Sequence, residues 1–379
     1  MSWETVKLGE LVKILSGYAF DASLFNDKFG LPLIRIRDVK RGFTNTYFNG
    51  LFHEKFIIKN GDILIGMDGE FNLSPWRSEP ALLNQRVCKI ESNNELKLLN
   101  SYLLHFLPIQ LKKIEEKTSY VTVKHLSVKD INNIQIPLPD ITIQKNIATI
   151  LDKADDLRKK DLKLLQHYDA LAQSLFIEMF GDPVKNEKGI VFSQVIKINP
   201  SKSEKTVENN ELVSFIPMAN VGEKGEFNNS LYKTFGEVKT GFTYFADGDV
   251  LFAKITPCME NGKGAIAKNL INGIGFGSTE FHVFRPNESV TSEYIYHLLA
   301  LPSIRKYAEL NMTGSAGQKR VSTSFFNKIK IDLPAISVQN QFASLIQNIE
   351  LQKEKVKAQI QASENLFQSL LQKAFNQEL

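Results

Sequence analysis

Leu138-Pro139-Asp140-Ile141-Thr142-Ile143-Gln144 returns 195 residues later as Leu333-Pro334-Ala335-Ile336-Ser337-Val338-Gln339. The same offset pairs Ala148 with Ala343, Gln173-Ser174-Leu175 with Gln368-Ser369-Leu370, and Phe180 with Phe375. Upstream it pairs Leu126-Ser127 with Val321-Ser322; farther back the match needs gaps, and Gly61-Asp62-Ile63-Leu64 aligns with Gly248-Asp249-Val250-Leu251 at an offset of 187. An ungapped likeness of this length means a chain built twice. Each half reads as a block followed by a long helix, with bounds 1–140, 141–181, 182–335 and 336–379.

After Pro139, apolar residues fall at Ile147, Ile150, Ala154, Leu157, Leu164, Tyr168, Leu171 and Leu175, in steps of three and four with one position skipped at Asp161. Such spacing predicts a coiled-coil seam. Gly181-Asp182-Pro183 ends the helix, with glycine at the C-terminal position and proline just after. The second helix repeats the pattern with Phe342, Leu345, Ile349, Val356, Leu366 and Leu370, interrupted at Gln352, Gln359 and Ser363. A helix packed on its own block would show a similar stripe. Two equivalent helices, one closing each half, more naturally pair with each other.

The blocks read as mixed α+β. Strands are predicted at Asp62–Met67 and Asp249–Ile255, amphipathic helices at Leu96–Lys113 and Tyr294–Leu310, and returning strands at Ile131–Leu138 and Phe325–Leu333. Charge is shared in the same duplicated way. Residues 1–140 and 182–335 each hold 18 basic and 16 acidic side chains, so the net charge of +4 sits in two equal excesses. That balance permits a nucleic-acid partner without requiring one. Cys88 and Cys258 lie far apart, which suits a reduced cytoplasmic protein with no zinc spacing. Met1–Glu10 lacks the apolar core of a signal peptide, and no run approaches about 18 apolar residues, so no membrane span is expected.

The common catalytic signatures are missing. A DNA methyltransferase needs a glycine-rich cofactor loop and an Asn/Asp-Pro-Pro-aromatic motif, but Asn199-Pro200 is followed by Ser201. There is no GxxxxGK[ST] phosphate loop, and the six histidines lack ligand spacing. Glu115-x-Lys117 has the spacing of a nuclease half-motif, but it sits in a charged helix end and reads as a solvated face.

What remains is a set of loops rich in Gly, Asn, Lys, Arg and Thr. The first block supplies Asn72, Arg77, Asn84, Gln85 and Arg86, then Tyr120 and Lys124 within Ser119–His125. The second supplies Lys254, Thr256, Asn261, Lys263, Ser278 and Thr279, then Gln318, Lys319 and Arg320. Arginine suits guanine edges, Asn and Gln suit adenine, and Lys and Ser/Thr suit phosphate. Arg86 and Asn261 are the favoured base readers, with Lys319 and Arg320 on phosphate. Ordinary turn chemistry accounts for many such residues taken singly.

Over nearly its full length the chain resembles the specificity subunits of type I restriction-modification systems. The likeness rests on Ile136-Pro137-Leu138-Pro139 through Gln144, on Leu151-Asp152-Lys153-Ala154-Asp155, and on Ser174-Leu175-Phe176-Ile177-Glu178-Met179-Phe180-Gly181-Asp182-Pro183. Leu82-Leu83-Asn84-Gln85-Arg86-Val87, Lys254–Gly264 and Gly275–Phe281 look like target-recognition motifs. The resemblance implies two mixed α/β target-recognition domains, 1–140 and 182–335, separated by an antiparallel coiled coil of two long helices, 141–181 and 336–379, with pseudo-two-fold symmetry. Each domain would read half of a bipartite double-stranded DNA site. The same likeness implies two modification subunits carrying S-adenosylmethionine and restriction subunits using ATP and Mg, in a prokaryotic cytoplasm. This chain would bind no cofactor and perform no catalysis. A fused methyltransferase–nuclease and a non-DNA scaffold are the rival readings.

If the helices set the distance between half-sites, four residues inserted near Ala358 add about 6 Å and nearly one helical turn. That is close to two base pairs. The expected outcome, read by mapping methylation in cells, is a spacer longer by one or two base pairs with both half-site sequences unchanged. An unchanged spacer in an active variant would show that something else sets it.

Overall fold

The structure, a computed structural model, describes residues 3–117, 124–185, 188–201, 207–315 and 317–379. Two compact units emerge: one combines residues 1–161 with 359–379, and the other spans 162–358. The long helices are Ile141–Phe180 and Ile336–Phe375, 40 residues each. Each unit therefore contains one block and a part of both helices.

In the first unit an antiparallel sheet runs in the order Val12–Ser16, Val87–Ser92, Ile63–Gly66, Leu73–Pro75. Its strand Ile63-Leu64-Ile65-Gly66 is buried throughout, which explains an uninterrupted apolar run where a half-exposed strand would alternate. A five-stranded sheet runs Phe25–Asn26, Tyr47–Phe48, Leu31–Ile34, Ala81–Leu83, Ile57–Ile58, with Leu31–Ile34 and Ala81–Leu83 parallel. The second unit repeats the plan. One sheet runs Ile196–Ile198, Phe281–Pro286, Val250–Ala253, Gly264–Ile266; the other runs Tyr232–Thr234, Leu212–Ile216, Ile274–Gly277, Thr243–Ala246, again with one parallel pair. In each unit a small ribbon precedes the long helix, Thr5–Lys7 with Gln135–Pro137 and Ile190–Val191 with Lys330–Ile331.

The helices inside the blocks depart from expectation at their ends. The first runs Asn100–Lys117, starting later than Leu96 because Lys97–Leu99 bond elsewhere. The region expected as one helix over Tyr294–Leu310 is two, Ser292–Ala300 and Pro302–Leu310. Proline disfavours helical backbone in the residue before it, and Leu301 is extended at φ −58° and ψ 133°. The returning strands are short and preceded by a turn of helix, Val128–Asn132 and Thr323–Lys328.

One glutamine per half fixes each long helix to its block. Gln144 is fully buried; its amide donates to the Lys97 and Pro139 carbonyls, both at 2.8 Å, and its Oε1 accepts from the Leu99 N–H at 3.0 Å. Gln339 repeats all three bonds, donating to Ser289 and Pro334 and accepting from Thr291. An amide that satisfies three backbone groups while buried leaves them orphaned if it is lost, at about 1–3 kcal/mol.

Within each unit the two helix segments run antiparallel, but the seam is not the one read from the sequence. Ile150, Leu157, Leu164, Leu171, Leu345 and Leu366 are 37–49% exposed and lie outside it. The seam instead passes through Leu151, Arg158, Leu165 and Ala172 on the first helix, and Ile346, Lys353 and Phe367 on the second. Ile147, Phe342, Ile349 and Val356 are buried, and Leu175 and Leu370 half-buried. Where two apolar residues are adjacent, as in Ile150-Leu151, Leu164-Leu165 and Leu366-Phe367, either satisfies a three–four rhythm, and the structure takes the second.

Charge enters the seam at matching points. In the first unit Arg158 bonds Asp155 at 2.7 Å and Glu364 of the other helix at 2.9 Å. In the second, Lys353 bonds Glu350 at 2.8 Å and Asp169 of the other helix at 3.0 Å. All three positions correspond at the repeat offset of 195. Two apparent interruptions of the rhythm, Asp161 and Gln359, hydrogen-bond each other at 2.7 Å.

His297 packs edge-on against Phe342 at 5.2 Å, and burial, with the nearby Lys353 charge, pushes its pKa down to about 4. A histidine depressed in the folded state stabilises fully above its unfolded pKa near 6.5, and that contribution is lost as pH falls towards 4. We expect denaturant stability to fall through this window by up to about 3 kcal/mol more than in His297→Phe. Equal pH slopes for the two proteins would refute the role.

Candidate nucleic-acid interface

Most of the loop residues picked from sequence gather at one junction in each unit. In the first, three segments meet: the turn after Ile63–Gly66, the turn before Val87–Ser92, and Lys124–Leu126. Three backbone bonds tie them: Met67 N–H to Arg86 O (2.8 Å), Gly69 N–H to Lys124 O (2.9 Å) and Leu126 N–H to Met67 O (2.7 Å). The second unit repeats every bond: Lys254 N–H to Glu280 O (2.9 Å), Thr256 N–H to Lys319 O (3.1 Å) and Val321 N–H to Lys254 O (2.9 Å). Segments about 190 residues apart in the repeat thus present their side chains from an identical backbone frame.

On that frame, in the first unit, Gln85 is exposed and Asn72 half-buried. Asn84 is buried, and its side-chain oxygen has no partner among the described residues. Arg86 holds a left-handed backbone at φ 70°, uncommon without glycine. Its guanidinium lies 3.4 Å from both Asp68 and His125, which themselves meet at 2.6 Å. Lys124 turns inward, donating to the Glu115 carbonyl at 2.7 Å. Arg77 is exposed but packs against Gly42, on the turn after Leu73–Pro75. Tyr120 lies outside the described residues.

In the second unit Asn261, Thr279, Gln318 and Lys319 are exposed. Thr256 donates to Glu260 at 2.9 Å, Lys263 reaches the Met218 carbonyl at 3.4 Å, and the Ser278 hydroxyl accepts from the Glu280 N–H at 3.2 Å. Lys254 is half-buried beside Glu280 and His282. Arg320 donates from Nε and Nη2 to both oxygens of Glu280, at 2.9 and 2.8 Å, and the guanidinium holds that carboxyl below its usual range.

Sequence reading missed the supports beneath these loops. Glu115, expected on a solvated face, accepts the Phe71 N–H at 3.2 Å and so holds the first loop from the helix below it. Arg305 does the corresponding work for the second. Buried on the helix Pro302–Leu310, it donates to the carbonyls of Leu299 (2.8 Å), Met259 (3.1 Å), Gly262 (3.1 Å) and Lys263 (3.4 Å), and it lies 4.2 Å over the Phe252 ring. Burial without a carboxylate partner pushes its pKa down to about 10. Tyr18, exposed, carries the carbonyl that accepts the Gln85 N–H at 2.8 Å. A lone tyrosine or arginine at these positions gives no sequence signal, because its partners are backbone atoms distant in the chain.

No group of three or more His, Cys, Asp or Glu among the described residues could hold a metal ion. Among the described residues no helix is long and apolar enough to cross a membrane.

Comparison with known proteins gives a consistent picture. The family model for the type I restriction modification DNA specificity domain matches residues 1–167 and again 191–363. The chain is similar to the type I restriction enzyme EcoBI specificity subunit of Escherichia coli, 28% identical over 417 residues, covering 100% of this chain and 86% of that protein. It is 38% identical over 185 residues to the EcoEI specificity subunit of the same species, covering 48% of this chain and 31% of that one. Among solved structures, the S subunit of a type I restriction-modification system from M. genitalium superposes with a TM-score of 0.53 at 14% identity, covering 99% of this chain and 96% of that one. A chain from a type I restriction-modification assembly gives 0.55 at 17%, covering 100% and 98%. At these identities the structural likeness speaks for the fold.

Arg305→Met keeps the bulk of the side chain but removes the guanidinium donor from four carbonyls, of which Met259 and Lys263 keep only a backbone N–H. The expected result is a second unit destabilised by several kcal/mol and faster amide exchange across Thr256–Gly264, with Arg305→Lys intermediate. Unaltered exchange in that loop would mean that Arg305 does not hold it.

Proposed function

This chain belongs to the type I restriction modification DNA specificity domain family, and from that membership we propose that each of its two blocks reads one half of a bipartite DNA site through the three-segment junction. It is a specificity subunit with two DNA specificity domains. One observation carries the assignment of the reading surface: both blocks build the same hydrogen-bonded backbone frame but decorate it with different side chains. Two readers on one frame are what a site with two unlike halves requires.

The exposed side chains Gln85, Asn261, Thr279, Gln318 and Lys319 are the favoured contacts, with Asn72, Arg77, Lys254 and Lys263 at their margin. Gln and Asn can bond adenine edges in pairs, and Lys319 suits phosphate. In this reading the chain is not itself a catalyst. Two modification subunits would bring S-adenosylmethionine, and restriction subunits would bring ATP and Mg, to the site that it selects.

Exchange of residues 1–140 for the block of another specificity subunit tests the reading, with adenine methylation mapped in cells that also carry the modification subunit. One half of the methylated motif should change, while the other half and the spacer stay. A change in both halves at once would defeat the division of labour.

A further inference from the structure

Each junction contains an acid–base pair, and its polarity is reversed between the blocks. Arg86 and Glu280 occupy the same point of the frame, because their carbonyls accept the equivalent N–H groups of Met67 and Lys254. His125 and Arg320 likewise correspond at the offset of 195, each bridged to the first segment, at Asp68 and at Ile255. In the first block the base on the second segment faces the acid Asp68 and His125. In the second block the acid on that segment faces the base Arg320.

We propose that these pairs are positioning latches that lock the three segments together, so that Arg86 and Arg320 shape the reading surface without themselves contacting DNA. The inference rests on the DNA-reading function given above. Reversed polarity carries it. A position built for phosphate cannot hold glutamate in one copy, since a carboxylate there would repel the backbone, and Glu280 is not free to accept from a cytosine edge because both its oxygens are taken by Arg320; a position built for pairing accepts either sign. Geometry agrees, for Arg320 spends Nε and Nη2 on Glu280 and Nη1 on the Gln318 carbonyl at 3.1 Å. Bidentate pairing also fixes direction as well as distance. The residues beside the latch, Gln85 and Thr279, are then left facing outward.

The test uses the full chain with its modification subunits and compares Glu280→Arg, Arg320→Glu and the double exchange. Methylation mapping should show each single variant losing about tenfold or more at the second half-site, with the first half-site still selected. The double exchange should recover most of the loss. The opposite pattern overturns the latch: Glu280→Arg binding all sequences more tightly, and the double exchange no better than Arg320→Glu, would mean that Arg320 touches DNA and Glu280 merely masks it. Glu280→Gln, which keeps shape, gives an independent readout. A latch predicts weaker binding with an unchanged salt slope; a freed phosphate contact predicts tighter binding and a slope steeper by about one. No methylated bipartite motif from the unmutated chain would instead overturn the DNA-reading function beneath the proposal.

Discussion

A cation in a helix seam needs carboxylates at hand, and in each unit of this chain one comes from its own helix and one from the facing helix. Arg158 meets Glu364 and Lys353 meets Asp169. Losing the cross-helix acid would leave each cation with one carboxylate, Asp155 or Glu350 of its own helix, which is costly where little water can help; Lys353 has only 8% of its side chain exposed. The pairing also has a direction. Sliding either helix by one residue would put each cation opposite an uncharged neighbour in place of its cross-helix acid, so the charges specify the register that leucines alone leave open. Asp169 additionally bonds Lys224, so in the second unit the same carboxylate ties a loop of the block to the helix pair.

Everything in the blocks is built outward from that fixed pair. Gln144 and Gln339 attach each helix start to the turn that opens the neighbouring block helix, using three backbone bonds apiece. In the second unit the block helices then pass the constraint on, since Arg305 reaches from Pro302–Leu310 to four carbonyls at or near the loop it supports. In the first unit Glu115 reaches one amide instead. Rigid elements holding loops by buried or half-buried polar groups give a surface whose shape survives changes in its outer side chains.

The duplication and the two long helices were legible because both are periodic: a repeat announces itself by offset, and a helix by its three–four rhythm. The seam was half legible. Rhythm cannot choose between Ile150 and Leu151, and it argues against Arg158 and Lys353, which are polar but lie where the facing acids make them welcome. The split at Pro302 was readable from proline chemistry alone, yet an unbroken apolar pattern over Tyr294–Leu310 masked it. The loops gathering at the junction were named from composition. Their convergence, the inward turn of Lys124 and the pairing of Arg320 with Glu280 depend on contacts between separate elements that no local pattern encodes.

The two junctions also explain how a specificity protein changes what it reads without losing its fold. Every bond of the frame is between backbone atoms, so side chains there are free to diverge so long as each latch and each support remains internally matched. Divergence has gone as far as a change of sign. The second segment of the latch carries Arg86 in the first block and Glu280 in the second, with Asp68 and Arg320 as their respective partners, and the support beneath is a carboxylate accepting one N–H in the first block and a guanidinium donating to carbonyls in the second. Opposite charges in the same place are stable only if their partners changed with them. The unit of variation at this surface is therefore a matched pair or cluster rather than a single residue, and a loop moved between blocks without its latch partner would arrive facing a charge of its own sign.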